Sequence, residues 1–279
     1  MEQGKANAVR YVSFRRPDGV SRYGRLEGEQ VVDLGGSLRQ ALADNRLEGT
    51  PGQAHGLAEI ELLPPIPDPR KIACIGLNYA SHLTEMGNKR PDHPTVFTRW
   101  ADTLVAHDAP LLCPKRSTRF DYEGELAVII GRPGRAIARE EAMDHVAGFS
   151  IFNDASVRDW QRHSSQFTPG KNFPGSGGFG PALVTPDEIA DLGAVRVQTR
   201  LNGELVQDQP TSDMLWGVPE LIEYLSAFTP LGPGDVIVTG TPGGVGDART
   251  PPLYLRPGDI VEVSAGPIGI LRNPVVEER

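Results

Sequence analysis

The chain has 279 residues and a formal net charge of -8, with acids and bases interspersed and no basic block. A chain of that length buries a sizeable core and suggests one large domain with a small appendage, and its charge argues against nucleic acid as a partner. No window approaches the roughly 18 apolar residues of a membrane span, the opening "MEQGKANAVR" has no apolar export segment, and the isolated Cys74 and Cys113 make no disulfide framework, so a cytoplasmic setting with no membrane partner is expected.

From Val9 to Leu34 the text reads as a strand meander: "RYVSF", the turn "RPDG", "RYGRLEG", then "QVVDL". Ser37 to Asn45 has the look of a short helix, and the proline-rich "LLPPIPDPRK" is a joint, so a small β-meander domain is predicted over residues 1–65 and a catalytic domain over 66–279. Beyond the joint, "KIACIGLNY" is a strand running into a helical stretch, "ASHLTEMG", closed by Gly87. "FDYEGELAVIIG" continues into a strand, because Leu126 to Ile130 is aliphatic, β-branched and too short for a core helix. "REEAMDHV" suggests a helix, "AGFSIFND" a strand, "VQTRLNGELVQ" a hairpin turning at Asn202-Gly203, and "DMLWGVPELIEYLSAF" an amphipathic helix. Strand and helix alternate too irregularly for a doubly wound sheet, which leaves a β-rich mixed α+β fold.

Four segments carry more chemistry than a scaffold needs. In the first, strand alternation places Asp121, Glu123 and Glu125 on one face, with Glu123 and Glu125 roughly 7 Å apart along the strand, near enough to reach one ion. The two readings are a solvated edge-strand face and a pair held in by a cation, since buried charges must be paired or coordinated. In the second, Asp154 ends a strand, either as a helix N-cap or as a group presented at the sheet's mouth, and Arg158 and Gln161 follow at helical spacing, suited to a substrate carboxylate or to a plain helix surface. In the third, His82 and Glu85 adjoin on one helical face, as a surface ion pair or as a base made stronger by a carboxylate. The fourth is the glycine-rich "FTPGKNFPGSGGFG", a long loop whose Lys171 is either solvent-exposed or functional. "VTGTPGGVG" lacks the GK[ST] ending of a phosphate loop, which speaks against nucleotide binding. With no HExxH, GxSxG or His/Cys cluster, an oxygen-only site suits magnesium, manganese or calcium over zinc or copper.

Taken in order, "IGLNYASHLTEMG", "FDYEGELAVIIG", "FNDASVRDWQ", "PGKNF", "LNGELVQD" and "PGDVIVTGTPGGVG" resemble the fumarylacetoacetate hydrolase family from about Lys71 to Val275. The resemblance implies a β-rich mixed-sheet roll of that type, with a Mg2+ or Mn2+ ion (Ca2+ also fitting the donors) on Glu123, Glu125 and Asp154. It implies a His82/Glu85 base on a lid helix, Lys171 as the loop lysine, and Thr241, with Arg158 and Gln161, among the substrate contacts. Three carboxylates on an octahedral ion leave about three positions for water and a bidentate 2-oxo acid. The activity it implies is metal-dependent hydrolysis of a carbon-carbon bond in a 2,4-dioxo acid of the acylpyruvate or fumarylpyruvate kind. On the same scaffold the alternatives are a decarboxylase or an isomerase/hydratase of 2-oxo dicarboxylic acids, or a relative that binds metal or metabolite without turnover. Relatives are commonly dimers, so a homodimer is expected. Many read KSFD where this chain has Lys171-Asn172-Phe173-Pro174, and Lys-Pro where it has Arg99-Trp100.

Overall fold

The meander forms three antiparallel strands, β1 (Arg10–Arg15), β2 (Ser21–Glu27) and β3 (Gln30–Gly35), in a computed structural model that describes residues 9–87 and 89–278. The helix expected from Ser37 follows as α1 (Leu38–Ala43), with the Ser37 hydroxyl accepting the Gln40 N–H as its cap. Short β4 (Ala54–Gly56) and β5 (Glu61–Leu63) lead into the proline-rich joint, which the Ser13 hydroxyl ties back to β1 through the Pro65 carbonyl at 2.7 Å. The ends of the two predicted domains at residues 1–8 and 279, and residue 88, lie outside the described residues.

Next come β6 (Ile72–Gly76), α2 (Ala80–Glu85), β7 (Thr95–Thr98), β8 (Leu104–Val105), β9 (Leu111–Cys113) and β10 (Phe120–Asp121). The central hairpin is β11 (Gly124–Ile130) against β12 (Val146–Asp154), followed by β13 (Ser156–Val157), α3 (Arg158–Gln161), α4 (Thr168–Lys171) and β14 (Gly177–Val184). The Asn202-Gly203 turn joins β15 (Arg196–Leu201) to β16 (Glu204–Pro210), both turn residues at positive φ. The chain ends with α5 (Val218–Phe228), β17 (Val236–Val238), β18 (Ile260–Ala265) and β19 (Ile270–Glu277).

One mixed sheet runs β4-β3-β2-β1-β14-β12-β11-β17-β6-β7, so the meander joins the rest edge to edge where Arg10 and Tyr11 pair with Val184 and Leu183. A second sheet, β16-β15-β18-β19-β9, packs on it; with few helices this is the β-rich α+β architecture the strand spacing implied. Strand β11 is central, between β12 and β17, and all seven of its residues are buried. Its Leu126, Val128 and Ile130 join Val197, Val261 and Val263 of the second sheet in one apolar cluster, while Ala127 and Ile129 join Ile72, Cys74 and Phe152 in another. Gly124 makes this stacking possible at the acidic end, because a Cβ there would come within 2.1 Å of the Thr199 hydroxyl oxygen on β15.

Three elements differ from expectation. "REEAMDHV" forms a 3₁₀ stretch, Arg139–His145, and not an α-helix. The amphipathic helix starts only at Val218, because Gly217 caps it with Glu220 reaching back to the Gly217 N–H. The glycine-rich passage is not a long open loop: it contains α4 and the first residues of β14. Among the described residues no helix is long and apolar enough to cross a membrane.

Candidate active site

The antiparallel register of β11 and β12 brings the acids together. Gly124 faces Asn153, the Asp154 N–H donates to the Glu123 carbonyl at 2.8 Å, and the Asn153 side chain accepts the Glu123 N–H at 3.0 Å. Glu123, Glu125 and Asp154 are all buried and each offers an oxygen within 4.8 Å of the others. Oxygens shared by one Mg2+ or Ca2+ lie at most about twice the 2.0–2.6 Å bond length apart, so the three fit a hard dication. The solvated-face reading of these acids fails on their burial. Asp154 is no N-cap either: Val157 precedes α3, and the chain turns through β13 to bring Arg158 back beside the acids, so helical spacing from Asp154 is not what aligns them.

Cationic side chains crowd the cluster. The Lys171 ammonium, 1% exposed, donates to Glu123 Oε2 at 2.6 Å and to Asp154 Oδ2 at 2.5 Å, and lies 5.0 Å from the Phe97 ring centre. Arg158 places Nη1 2.5 Å from Glu123 Oε1 and donates from Nε to Asp121 Oδ2 at 2.8 Å. Arg99 sets Nε 2.6 Å from Asp154 Oδ1. Four buried carboxyls thus meet three buried cations, and among the described residues Glu125 is the one of the four with no cation in salt-bridge contact. Burial alone would raise the Glu123 carboxyl, but Arg158 and Lys171 outweigh it and hold its pKa down at about 2. Burial opposes the charge of Lys171, and Asp154 and Glu123 overcome that, so its pKa is raised and the side chain stays an ammonium. Glu125 has no such help: burial, then the neighbouring Asp154 and Glu123 charges, push its pKa well above the carboxylate range. It accepts a hydrogen bond from the Gly240 N–H at 2.5 Å. A buried acid raised by two like charges is what a dication would relieve.

The loop after β17 supplies further donors that the sequence reading passed over. Gly240 N–H serves Glu125, Gly244 N–H serves Glu85 at 2.9 Å, and the Gly246 and Asp247 N–H groups serve Asp121 at 2.8 and 2.9 Å. "VTGTPGGVG" is therefore an anion-holding loop for the protein's own carboxylates. Thr241 sits in it with its hydroxyl donating to the Gly124 carbonyl at 3.0 Å and accepting from Gln207 Nε2 at 2.8 Å.

Helix α2 covers the cluster. His82 is 6% exposed, its Nδ1 is 3.2 Å from Glu85 Oε2, and Glu85, whose side chain is 24% exposed, is itself fixed by the Gly244 N–H, so the pair joins a buried ring to a carboxylate at the surface. Burial disfavours the charged Glu85, but His82 and the Gly244 N–H more than offset it and its pKa is lowered. Asp213 holds the start of α2 by accepting the Ser81 N–H at 3.0 Å and its hydroxyl at 2.7 Å.

A pocket of about 190 Å³ lies between α2 and the acids. His82, Glu123, Glu125, Arg158, Gln161, Lys171 and Thr241 all line it, whereas Asp154 and Glu85 do not. Ile75, Phe97 and Phe167 form its apolar wall. Arg158 Nη2 is buried with no hydrogen-bond partner among the described residues, while Gln161 Oε1 accepts from Arg158 Nη1 at 3.1 Å. A larger groove of about 690 Å³ lies against the meander beside Tyr23 and Gln40, remote from every one of these groups, so size does not mark the site. Arg99, which the sequence reading noted only as a departure from a pattern, is the cation it missed; a buried basic residue at a strand end leaves no periodic signal.

Residues 71–276 match the family model described as fumarylacetoacetate (FAA) hydrolase C-terminal. Oxaloacetate tautomerase YisK of Bacillus subtilis is 45% identical over 225 residues, 79% of this chain and 75% of that protein. The mitochondrial oxaloacetate tautomerase fahd2 of Xenopus laevis is 36% identical over 296 residues, 99% of this chain and 93% of that protein. Among solved structures, the fumarylacetoacetate hydrolase of Exiguobacterium antarcticum superposes with a TM-score of 0.86 at 37% identity, covering 97% of this chain and 100% of that one. The 2-hydroxyhepta-2,4-diene-1,7-dioate isomerase of Mycobacterium marinum gives 0.81 at 31%, covering 97% and 99%.

Proposed function

The chain belongs to the fumarylacetoacetate hydrolase family, and from that premise we propose that it isomerises a small 2-oxo dicarboxylic acid of the oxaloacetate kind, exchanging keto and enol forms. The observation that carries this reading is the pocket itself: about 190 Å³, lined by Arg158 together with a histidine, a lysine and two of the three clustered acids. That volume suits a compact acid better than a long acyl chain, and a guanidinium and an ammonium among the lining residues suit a substrate carboxylate. Relatives named as oxaloacetate tautomerases and dioate isomerases support the same class.

In this reading Arg158, one of the lining residues, holds one substrate carboxylate. His82, whose Nδ1 is committed to Glu85, uses its other ring nitrogen to take a proton from the carbon next to the ketone. The carbon-hydrogen pair of electrons becomes the new carbon-carbon double bond, the carbonyl π pair moves onto the 2-oxo oxygen, and the proton that His82 took is returned to that oxygen, so the enol forms with no net change of atoms and His82 is regenerated. Lys171, kept cationic by Asp154 and Glu123, donates toward that oxygen as its charge builds. Glu123, Glu125 and Asp154 would hold a divalent cation, which when bound supplies further stabilisation of negative charge on the 2-oxo oxygen. Ile75, Phe97 and Phe167 exclude water from the reacting carbons.

A second reading, hydrolysis of a 2,4-dioxo acid, rests on the same His82/Glu85 pair, whose orientation equally suits activating a water. One set of assays separates the two. With Mn2+ or Mg2+ present, enol oxaloacetate is added and the decay of its ultraviolet absorbance to the keto form is followed against the uncatalysed rate, alongside acylpyruvates scored for paired acid products. Accelerated decay without carbon dioxide release supports the isomerase. No acceleration, together with cleavage of an acylpyruvate, overturns it in favour of the hydrolase, and release of carbon dioxide would make the protein a decarboxylase.

A further inference from the structure

Arg99 is 3% exposed and sits just past β7, against the back of the acidic cluster. Its Nη2 donates to the Ala155 carbonyl at 2.7 Å and the Ser176 hydroxyl at 3.1 Å, and its Nη1 has no hydrogen-bond partner. Room for it exists because residue 177 is glycine: a Cβ there would come within 2.5 Å of Nη1. A buried guanidinium with an unsatisfied N–H stabilises a fold less well than an apolar side chain of similar volume, so packing alone does not account for it.

What it does touch is Asp154. Lys171 Nζ lies 2.5 Å from Oδ2 and Arg99 Nε 2.6 Å from Oδ1, so two cations grip the carboxylate from opposite sides. The Arg99 contact is ionic and not an aligned hydrogen bond, for neither Nε nor Oδ1 has a directional partner. Asp154 is thereby held in place while the lone pairs of Oδ1 stay uncommitted. The grip is wired to the lysine helix by the next residue in sequence. Asn172 accepts the Trp100 N–H at 2.7 Å and donates to the carbonyls of Thr98 at 3.2 Å and Thr168 at 3.0 Å, so it pins the backbone on both sides of Arg99 to α4. Trp100 and Asn172 are thus in direct contact through their 2.7 Å hydrogen bond.

We propose that Arg99 is a positioning residue for a dication site. With Lys171 it fixes the plane of the Asp154 carboxylate, and Asn172 makes that grip one unit with α4. The proposal rests on Glu123, Glu125 and Asp154 being the ligands. Groups that orient metal ligands from behind typically contribute about 10–100-fold in metal affinity.

The test is calorimetric titration of the full-length protein with MnCl2, for wild type, R99M, R99K, N172A and R99M/N172A, each checked for fold by circular dichroism. R99M is expected to bind Mn2+ about 10–100-fold more weakly, R99K to recover part of the loss, and N172A to lose less than R99M. The double variant should match R99M, because Asn172 acts through Arg99. At saturating metal, the electron paramagnetic resonance spectrum of Mn2+ in R99M should show a changed zero-field splitting, which a purely structural arginine would leave alone. Wild-type affinity in R99M, or losses that multiply in the double variant, overturns the proposal while leaving the ligand set standing. Failure of the wild type to bind Mn2+ overturns both. If R99M does not fold, R99K and N172A decide by the same criterion.

Discussion

The two ends of the β11–β12 hairpin are equally buried and built of opposite material. At one end stand Glu123, Glu125 and Asp154, and at the other Val128, Ile129 and Ile130 face Phe149, Gly148 and Val146 across the ladder. The apolar end removes aliphatic surface from water and so stabilises the fold. The acidic end works against the fold, because each carboxylate loses its hydration and Glu125 regains only one backbone N–H in return. Equal burial with opposite energetics separates the part of the hairpin that holds the protein together from the part that binds and reacts. Substitutions at the two ends should therefore fail in different assays.

The largest effect is expected at Glu125. Glu125→Ala should abolish Mn2+ binding in calorimetry, remove the rise in melting temperature that added metal gives the wild type, and eliminate turnover. The metal-free variant should melt no lower than the metal-free wild type, since it sheds a buried acid whose pKa is raised by Asp154 and Glu123. A metal-free melting point well below wild type would place Glu125 among the structural residues and dissolve the contrast. Next comes His82→Ala, which should lower the rate by about 10²–10⁴-fold while Mn2+ affinity and melting temperature stay at wild-type values. Loss of metal in this variant would show that the ligands have been misassigned.

The acidic end was legible in the sequence, and of the cations beside it Arg158 and Lys171 were named as site residues while Arg99 was not. Two acids two residues apart at the head of an aliphatic strand, an acid closing a second strand, and His82 three residues from Glu85 are local patterns, and strand or helix periodicity carries them into the right relation. Arg99 and the N–H groups of Gly240, Gly244 and Gly246 reach the cluster only through pairings of β17 with β11 and of β6 with β7, which span long stretches of chain. Lys171 was visible as a residue but not as a buried one, because the loop reading missed the helical turn of α4 that folds it inward. The mixed α+β class could be read from strand spacing. The edge-to-edge joining of β1 to β14 could not, because an apolar strand in sequence does not declare its neighbour.

At the apolar end, Ile129→Ala should destabilise the protein by about 2–5 kcal/mol in urea unfolding, the usual result of emptying a filled core site. Ile129 is fully buried between sheet neighbours and is not among the residues that line the pocket. Turnover per folded molecule should match wild type, and a fall in turnover comparable to that of His82→Ala would mean that the two ends of the hairpin are mechanically coupled.

The smallest effect tests where α2 belongs in this contrast. The folded-state pKa of Glu85 lies below its ordinary 4.5, because His82 and the Gly244 N–H outweigh the effect of burial. A depressed carboxylate contributes stability that is fully present above its unfolded pKa and lost as the pH falls through the folded one. In Glu85→Gln that contribution disappears at neutral pH and with it part of the acid-side decline, so the stability curves of wild type and variant should converge below about pH 4. Glu85 is 24% exposed at its side chain, so solvent screens the interaction and the separation at neutral pH should be about 0–1 kcal/mol. Urea unfolding of both proteins between about pH 3 and 7 measures it. Convergence would show that α2 is held by the ionised Glu85, making the cover over the acids weaker in acid while the apolar end of the hairpin is untouched. Parallel curves across the whole range would show that Glu85 holds α2 through hydrogen bonds a neutral amide can also make.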